Sequence, residues 1–505
     1  MYSDKENVNI LTALLVDYGI RHVVVCPGSR NAPLVHNFNE CPSIVCHPVT
    51  DERSAAFVAL GISQQTREVT AVCVTSGSAL LNLLPGAAEA TYQRQGIIVI
   101  SADRPTAWTG QLDGQTMPQQ GALGTFVGKS VSLPECKDGV ERWHCRRLVC
   151  EAVNFLLAKR QSVHINVPIT EPLFGFSLPV LPDVKGIKTI SSEQFLTLFR
   201  SSRRPMLVCG QGTCSDWQCP GVVVLAEQLS AAEPVLSLDT LFSLMDEAED
   251  YKPDFLVFMG RTTISKRLRQ FLRTLDDCVV VMHNPDGDIE DITCHARYIL
   301  TDALPEMRCD ETEFTLRWRK LIALTAESLA SVPEDLCAKA VKAFEALMRK
   351  GDVVYYANSS AVRLGAKYAR HHVRCNRGLN GIEGSLSTAV GASLATDGNV
   401  YCVIGDLSFF YDQNALWNQR LRGNLRILLL NNFGGAIFRS LPGLSDSPAC
   451  EEYVMASHKA TAVGACHQYG VSRRMVSSPD GLADAVEWLV HSKSNRPLLL
   501  EVITK

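Results

Sequence analysis

The chain has 505 residues, 46% hydrophobic and 20% charged, an ordinary globular composition that excludes disordered and fibrous classes. Its 49 basic and 53 acidic side chains leave a net charge of −4, which excludes a generic polyanion binder, so any anion must be met by a local cluster of Lys and Arg. Length alone predicts about three domains.

The opening residues Met1-Tyr2-Ser3-Asp4-Lys5-Glu6 lack the basic start and apolar stretch of a signal peptide. No run of about 18 or more apolar residues, the length a membrane span needs, follows. A soluble, cytoplasmic protein is expected. Short apolar runs then alternate with amphipathic segments. His22 to Cys26, Val69 to Val74 and Gly96 to Ile100 read as buried parallel strands, each followed by a turn and a helical pattern. Parallel strands need long crossovers, so residues 1–178 read as one α/β domain. The polar, proline-containing stretch from Leu178 to Ser192 reads as a linker. A second α/β domain, 193–310, has strands near Pro205 to Val208, Phe255 to Phe258 and Cys278 to Val281. A charged helical segment from about Glu311 to Lys350 leads into a third, 335–505, with strands at Val353 to Tyr356, Val400 to Ile404, Ile427 to Leu430 and Leu498 to Leu500. The predicted class is α/β, with three doubly wound parallel-sheet domains. The 18 cysteines include no CxxC pair, and Cys145/Cys150 and Cys214/Cys219 lack companion zinc ligands; free thiols in a reducing compartment are expected.

In open α/β sheets, ligands bind beyond the carboxyl ends of the strands. The second domain offers only Gly210-Gln211-Gly212 there, without the third glycine of a dinucleotide fingerprint, so nicotinamide or flavin binding is not expected. The third offers more. Gly405-Asp406-Leu407-Ser408 follows the strand ending at Ile404, and Asn431-Asn432-Phe433-Gly434 follows the one ending at Leu430. A carboxylate and an amide at two strand ends can share one hard divalent cation such as Mg²⁺. Gly405 and Ser408 let backbone N–H groups approach phosphate oxygens at a helix start. Two unrelated strand-end turns would look the same in isolation. In the first domain Asp51-Glu52-Arg53 stands between a strand and a helix, where the helix dipole alone already favours an acidic residue.

The rest of the sequence decides between these readings. Pro27-Gly28-Ser29-Arg30, Asp51-Glu52-Arg53, Thr75-Ser76-Gly77-Ser78, Ala102-Asp103-Arg104-Pro105, Asn376-Arg377-Gly378, Gly381-Ile382-Glu383-Gly384 and Gly405-Asp406-Leu407-Ser408 occur in this order. Together they resemble the MenD family of thiamine-diphosphate enzymes, transferases that act as 2-succinyl-5-enolpyruvyl-6-hydroxy-3-cyclohexene-1-carboxylate (SEPHCHC) synthases in menaquinone biosynthesis. The resemblance runs from Val23 to Val502. It implies a pyrimidine-binding, a cofactor-free central and a diphosphate-binding domain, with the cofactor bridging two subunits of a homodimer or a dimer of dimers. It implies thiamine diphosphate held by Glu52, Ser76, Gly77, Ile382, Gly405, Asp406, Leu407, Ser408 and Asn432, and Mg²⁺ or Mn²⁺ held by Asp406, Asn432 and the carbonyl of Gly434. Glu52 would be the catalytic residue, hydrogen-bonding the aminopyrimidine ring and favouring its imino tautomer, while Ile382 would prop the cofactor into its bent conformation. The implied reaction is decarboxylation of 2-oxoglutarate, then 1,4-addition of the remaining succinyl carbanion equivalent to isochorismate.

Arginine distinguishes this family from other thiamine-diphosphate enzymes. Arg30, Arg104, Arg267, Arg363 and Arg377 fall in or beside the motifs of a chain whose net charge is −4. Planar guanidinium groups bind carboxylates bidentately, and both implied substrates are dicarboxylates. The resemblance puts Ser359, Arg363 and Arg377 around the portion derived from 2-oxoglutarate. It puts Ser29, Arg30, Arg104, Gln115, Lys266 and Arg267 around isochorismate, with Ile437 and Phe438 as apolar lining. Asn31, Gly114 and Cys375 depart from the family pattern, standing where serine, asparagine and serine are usual. The chain ends at Lys505, soon after its last strand, where many relatives continue; a trimmed chain with altered turnover is the corresponding expectation. Another thiamine-diphosphate lyase, such as a 2-oxoacid decarboxylase or acetohydroxyacid synthase relative, would need fewer carboxylate clamps. An inactive cofactor-binding paralogue would be expected to lose Glu52 or the metal ligands, and both are kept. No nucleic-acid or membrane partner is expected.

Overall fold

The strand-forming runs are short, apolar and rich in Val, Ile and Leu, the pattern of strands covered on both faces. In the computed structural model they pair in parallel, with Tyr2–Ser3 against Phe176–Leu178 the antiparallel case among the described pairings. The structure describes residues 1–213, 219–233, 235–331, 334–349 and 351–504; Cys214 and Lys350 lie outside them. The chain forms two compact units, 1–191 with 284–302, and 192–283 with 303–505.

In the first unit six strands lie in the order Val45–Pro48, His22–Val25, Thr70–Val74, Ile98–Asp103, Val163–Pro168, Lys129–Ser132. Val25 stands level with Pro48 and Cys73, and Val74 with Ser101. This register brings the turns after four consecutive strands to one edge of the sheet, where Ser29, Arg30, Glu52, Ser76, Gly77 and Arg104 all lie. Helices Glu6–Asp17, Ala32–Glu40, Glu52–Thr66, Leu84–Tyr92 and Gly139–Lys159 make the crossovers. The stretch from Leu178 to Ser192, read as a linker, contains the strand Lys188–Ile190, paired with Ala296–Leu300.

In the second unit Val223–Ala226, Pro205–Cys209, Phe255–Met259 and Val279–His283 are successive parallel neighbours. A separate five-stranded sheet runs Val353–Tyr356, Val400–Gly405, Leu425–Asn431, Leu498–Ile503, Ser472–Val476. Leu229 and Ile264, from turns beyond the first set of strands, join the buried cluster around the second, with Phe344, Phe409 and Leu428. That shared apolar core fixes two sets of strand-end turns against each other. The charged segment before this sheet is two helices, Glu313–Ser331 and Leu336–Leu347. No helix among the described residues is long and apolar enough to cross a membrane. Every described cysteine is a free thiol, and no group of three or more described His, Cys, Asp or Glu side chains could hold a metal ion.

Candidate active site

The turns after Val400–Gly405 and Leu425–Asn431 meet at Asp406. Gly405 caps the helix Asp406–Asp412, and Asp406 is its first residue, 3% exposed. The carboxylate accepts N–H groups from Leu407 at 2.7 Å, Asn432 at 3.1 Å and Gly434 at 2.9 Å. Burial pushes this carboxyl above its ordinary value, while the three N–H groups and His458 pull it back. Gly434 has φ +147, and a Cβ there would lie 2.9 Å from the Met455 carbonyl, so the turn requires glycine. The Asn432 Oδ1 is buried with no hydrogen-bond partner among the described residues. An orphaned amide oxygen beside a buried carboxylate is costly unless something completes it. Asp406, Asn432 Oδ1 and the Gly434 carbonyl form an all-oxygen donor set of the kind hard divalent cations take. The helix start at Leu407 and Ser408 suits a diphosphate, and the Ser408 hydroxyl donates to the Ile382 carbonyl, joining that motif to this one. The residues present therefore fit both a diphosphate and its metal.

A cavity of about 520 Å³ opens beside these groups. It gathers Ser359, Arg363, Ile382, Gly405, Asp406, Leu407, Ser408, Asn432, Gly434, Ile437 and Phe438, all of them expected from the sequence. Ser359 has φ +70, a conformation costly for a non-glycine residue and frequent at functional sites. Arg377 lies behind this wall, 9% exposed, donating to Asn358 Oδ1 at 3.3 Å and to the Thr263 carbonyl at 3.2 Å. Its Nε–H is buried and unpartnered among the described residues. Asn358 ties the wall together, donating to the carbonyls of Asn376 and Gly381 at 2.8 and 2.6 Å. Cys375, one of the departures, fits here by donating its thiol to Asn358 Oδ1 at 3.4 Å. Lys266 and Arg267 begin the helix Lys266–Leu272, exposed and outside this cavity's lining. The sequence reading missed Lys367, which also lines the cavity one helical turn after Arg363; that spacing was the available signal.

In the first unit Asp51, not Glu52, caps the helix, accepting from the N–H groups of Arg53 at 2.9 Å and Ser54 at 3.4 Å. Glu52 is half-buried in the first turn, and its carboxylate accepts no hydrogen bond from any described residue. Gly77 has φ +81, and a Cβ there would come within 3.3 Å of Gln115 Cα, so Gln115 packs its backbone directly on the Ser76-Gly77 turn. The Gly77 N–H is taken by the buried Gln119 at 2.7 Å. Arg30, 5% exposed, donates to the Ile169 carbonyl at 3.0 Å and to Glu171 at 2.8 Å. Arg104 reaches the same Glu171 carboxylate at 3.9 Å and Asp113 at 3.1 Å, and donates to the Gly114 carbonyl at 2.7 Å. Two guanidinium groups from different strand ends thus converge on one carboxylate. Ser29 is exposed beside them. Asn31, where serine is usual, is buried and donates to the Cys26 carbonyl at 2.8 Å, bracing the turn that carries Ser29 and Arg30.

Comparison with known proteins finds a cofactor-domain model in each unit. Residues 6–123 match the family model described as thiamine pyrophosphate enzyme, N-terminal TPP binding domain, and residues 356–502 match the C-terminal TPP binding domain. The chain is 38% identical to the 2-succinyl-5-enolpyruvyl-6-hydroxy-3-cyclohexene-1-carboxylate synthase of Bacteroides thetaiotaomicron, over 100% of this chain and 97% of that protein. It is 37% identical to the synthase of the same name from Phocaeicola vulgatus, over 100% and 96%. The corresponding figure for Desulfotalea psychrophila is 35%, over 99% and 98%. Full-length identity at this level, with both cofactor-domain models matched, means that the chain belongs to the 2-succinyl-5-enolpyruvyl-6-hydroxy-3-cyclohexene-1-carboxylate synthase family of thiamine pyrophosphate enzymes.

Proposed function

We propose that the chain is a SEPHCHC synthase of menaquinone biosynthesis, decarboxylating 2-oxoglutarate and adding the remaining succinyl unit to isochorismate. The observation that carries this reading is the cavity in which Ser359 and Arg363 stand beside the Asp406–Asn432 turn. A carboxylate clamp next to a diphosphate and metal cradle is what a dicarboxylic 2-oxo acid requires. When bound, thiamine diphosphate supplies the nucleophilic carbon and the electron sink for the decarboxylation. Asp406, Asn432 and the Gly434 carbonyl would hold Mg²⁺ or Mn²⁺, and the helix start at Ser408 would receive the diphosphate, the Leu407 N–H being taken by Asp406. Glu52 would share a proton with the aminopyrimidine ring nitrogen. Arg363 and Arg377 orient the donor's carboxylates; Arg30, Arg104, Lys266 and Arg267 orient the acceptor's, with Ser29 and Gln115. Ile437 and Phe438 exclude water from the reacting carbon, limiting premature protonation. In this reading residues 1–178, 193–310 and 335–505 are the three functional domains.

The direct test is an assay of purified protein with thiamine diphosphate, Mg²⁺, 2-oxoglutarate and isochorismate, following carbon dioxide and the adduct. Carbon dioxide release with no isochorismate-dependent product would overturn the reading in favour of a simple decarboxylase. Donor and acceptor recognition should also separate by mutation. Losing a charged carboxylate contact costs about 2–5 kcal/mol when the partner is buried, or about thirtyfold and more. Arg267→Ala, at an exposed residue, should raise the isochorismate concentration needed by less than that factor while sparing single-turnover carbon dioxide release from 2-oxoglutarate alone. Arg363→Ala should slow that release. Equal impairment of the first half-reaction in both variants would contradict the division.

The working unit in this reading is a homodimer with shared sites. Mixing the inactive Glu52→Gln and Asp406→Ala proteins should restore part of the activity once subunits exchange; no recovery despite measured exchange would overturn sharing.

A further inference from the structure

Two consecutive polar residues outside every motif, Glu227 and Gln228, follow the strand Val223–Ala226, 2% and 0% exposed. The Glu227 carboxylate accepts the backbone N–H groups of Ile264 at 2.5 Å and Ser265 at 2.7 Å. These peptides form the turn before the helix Lys266–Leu272, whose first two residues are Lys266 and Arg267. Ser265 caps that helix, accepting from the Leu268 N–H at 3.0 Å and donating its hydroxyl to Asp239 at 2.5 Å. The preceding carbonyl, of Thr263, accepts from Arg377. Burial, with Asp239 adding to it, pushes the Glu227 carboxyl up to about 7, against the pull of the two N–H groups and Arg377. A carboxylate buried this deeply is costly unless hydrogen-bonded, and the two N–H groups of the turn are what offset that cost.

Gln228 faces the other way. Its side-chain N–H groups donate to the carbonyls of Ala366 at 2.8 Å and Ala369 at 3.2 Å, at the end of the helix Ser360–Tyr368 that carries Arg363. Its backbone carbonyl accepts the Val373 N–H at 2.8 Å, in the segment leading to Arg377.

We infer that Glu227 and Gln228 are positioning residues that set the two substrate subsites separately, Glu227 holding the Lys266–Arg267 turn for the acceptor and Gln228 holding the Arg363 helix and Arg377 segment for the donor. The inference rests on the proposed function. Neither residue touches substrate. Arg377 keeps its Asn358 anchor when the Thr263 turn moves, which is why Glu227 acts mainly on the acceptor side.

The experiment is steady-state kinetics of the complete enzyme with both substrates varied, alongside melting curves. In Glu227→Gln the amide offers one acceptor where two N–H groups converge, leaving one unsatisfied. Its KM for isochorismate should rise about tenfold or more, with the 2-oxoglutarate KM little changed. Gln228→Leu should show the opposite split. If Glu227→Gln does not fold, Ser265→Ala, which removes only the helix cap and the Asp239 contact, should raise the isochorismate KM severalfold in the same direction. A merely structural role would lower kcat or stability and leave both KM values alone. Folded variants with wild-type KM values, or with both raised equally, overturn the inference. A wild-type enzyme that turns over with both substrates while its variants show no split overturns this inference alone, whereas a wild type with no isochorismate-dependent product overturns the function with it.

Discussion

Replacing Glu52 by glutamine is expected to keep the fold and most of the cofactor affinity while cutting turnover by about a hundredfold or more, the range for loss of a positioned proton-transfer group. The geometry makes this a clean experiment. The helix start depends on Asp51, which accepts the N–H groups of Arg53 and Ser54, so the glutamine variant leaves the cap intact. Glu52 has no described hydrogen-bond partner to lose, and its favourable interaction with the helix dipole is worth only about 0.3–1 kcal/mol. A glutamine of the same length can still accept a hydrogen bond at the same place. What it cannot do is share a proton with a ring nitrogen. Melting temperature and thiamine diphosphate affinity close to wild type, with kcat collapsed, is the predicted combination. Near-normal turnover would remove Glu52 from the chemistry and return it to the helix-dipole reading.

The sequence was most legible where chemistry sits at the end of a buried parallel strand. Val400–Gly405 and Leu425–Asn431 are apolar runs followed at once by Asp406 and Asn432, so strand, turn and candidate site residue were visible together. Elements without an apolar run were not. Ser472–Val476 is an edge strand with no buried residue and two arginines, and Val163–Pro168 buries His164 and Asn166 inside its strand. Burial pushes His164 down to about 4, and its ring nitrogens instead meet Ser101 at 2.7 Å and Ser130 at 3.0 Å. Such a network depends on which strands are neighbours, and spacing along the chain does not encode that.

The same limit applies to the site. Arg30 and Arg104 were visible as motif residues; their convergence on Glu171 was not, because Glu171 lies 67 residues beyond Arg104 in a stretch without a motif. Glu227 is similar: a single glutamate after a strand has no distinguishing pattern until Ile264 and Ser265 are seen donating to it. The residues proposed to meet ligand come in motifs here, and the residues that hold them in place do not.

The second large effect concerns the metal cradle. Asp406→Ala should weaken thiamine diphosphate binding by about thirtyfold or more even at high Mg²⁺, since removing one member of a buried charged pair costs about 2–5 kcal/mol. Alanine does two things at once: it deletes the charged protein ligand, and it leaves the N–H groups of Leu407, Asn432 and Gly434 without their acceptor. Asp406→Asn separates these effects. The amide keeps an oxygen for some of those N–H groups but carries no charge for a divalent cation, so the turn is retained and the electrostatic ligand is lost. Calorimetric titration of thiamine diphosphate into each variant, with Mg²⁺ in excess and melting curves alongside, reads the difference. If charge is what matters, asparagine should be nearly as weak a binder as alanine while melting closer to wild type. If turn geometry is what matters, asparagine should bind nearly as well as wild type, and Asp406 would be a structural brace. Unchanged affinity in both variants would refute the cradle, leaving the orphaned Asn432 Oδ1 to be explained by something other than a shared cation.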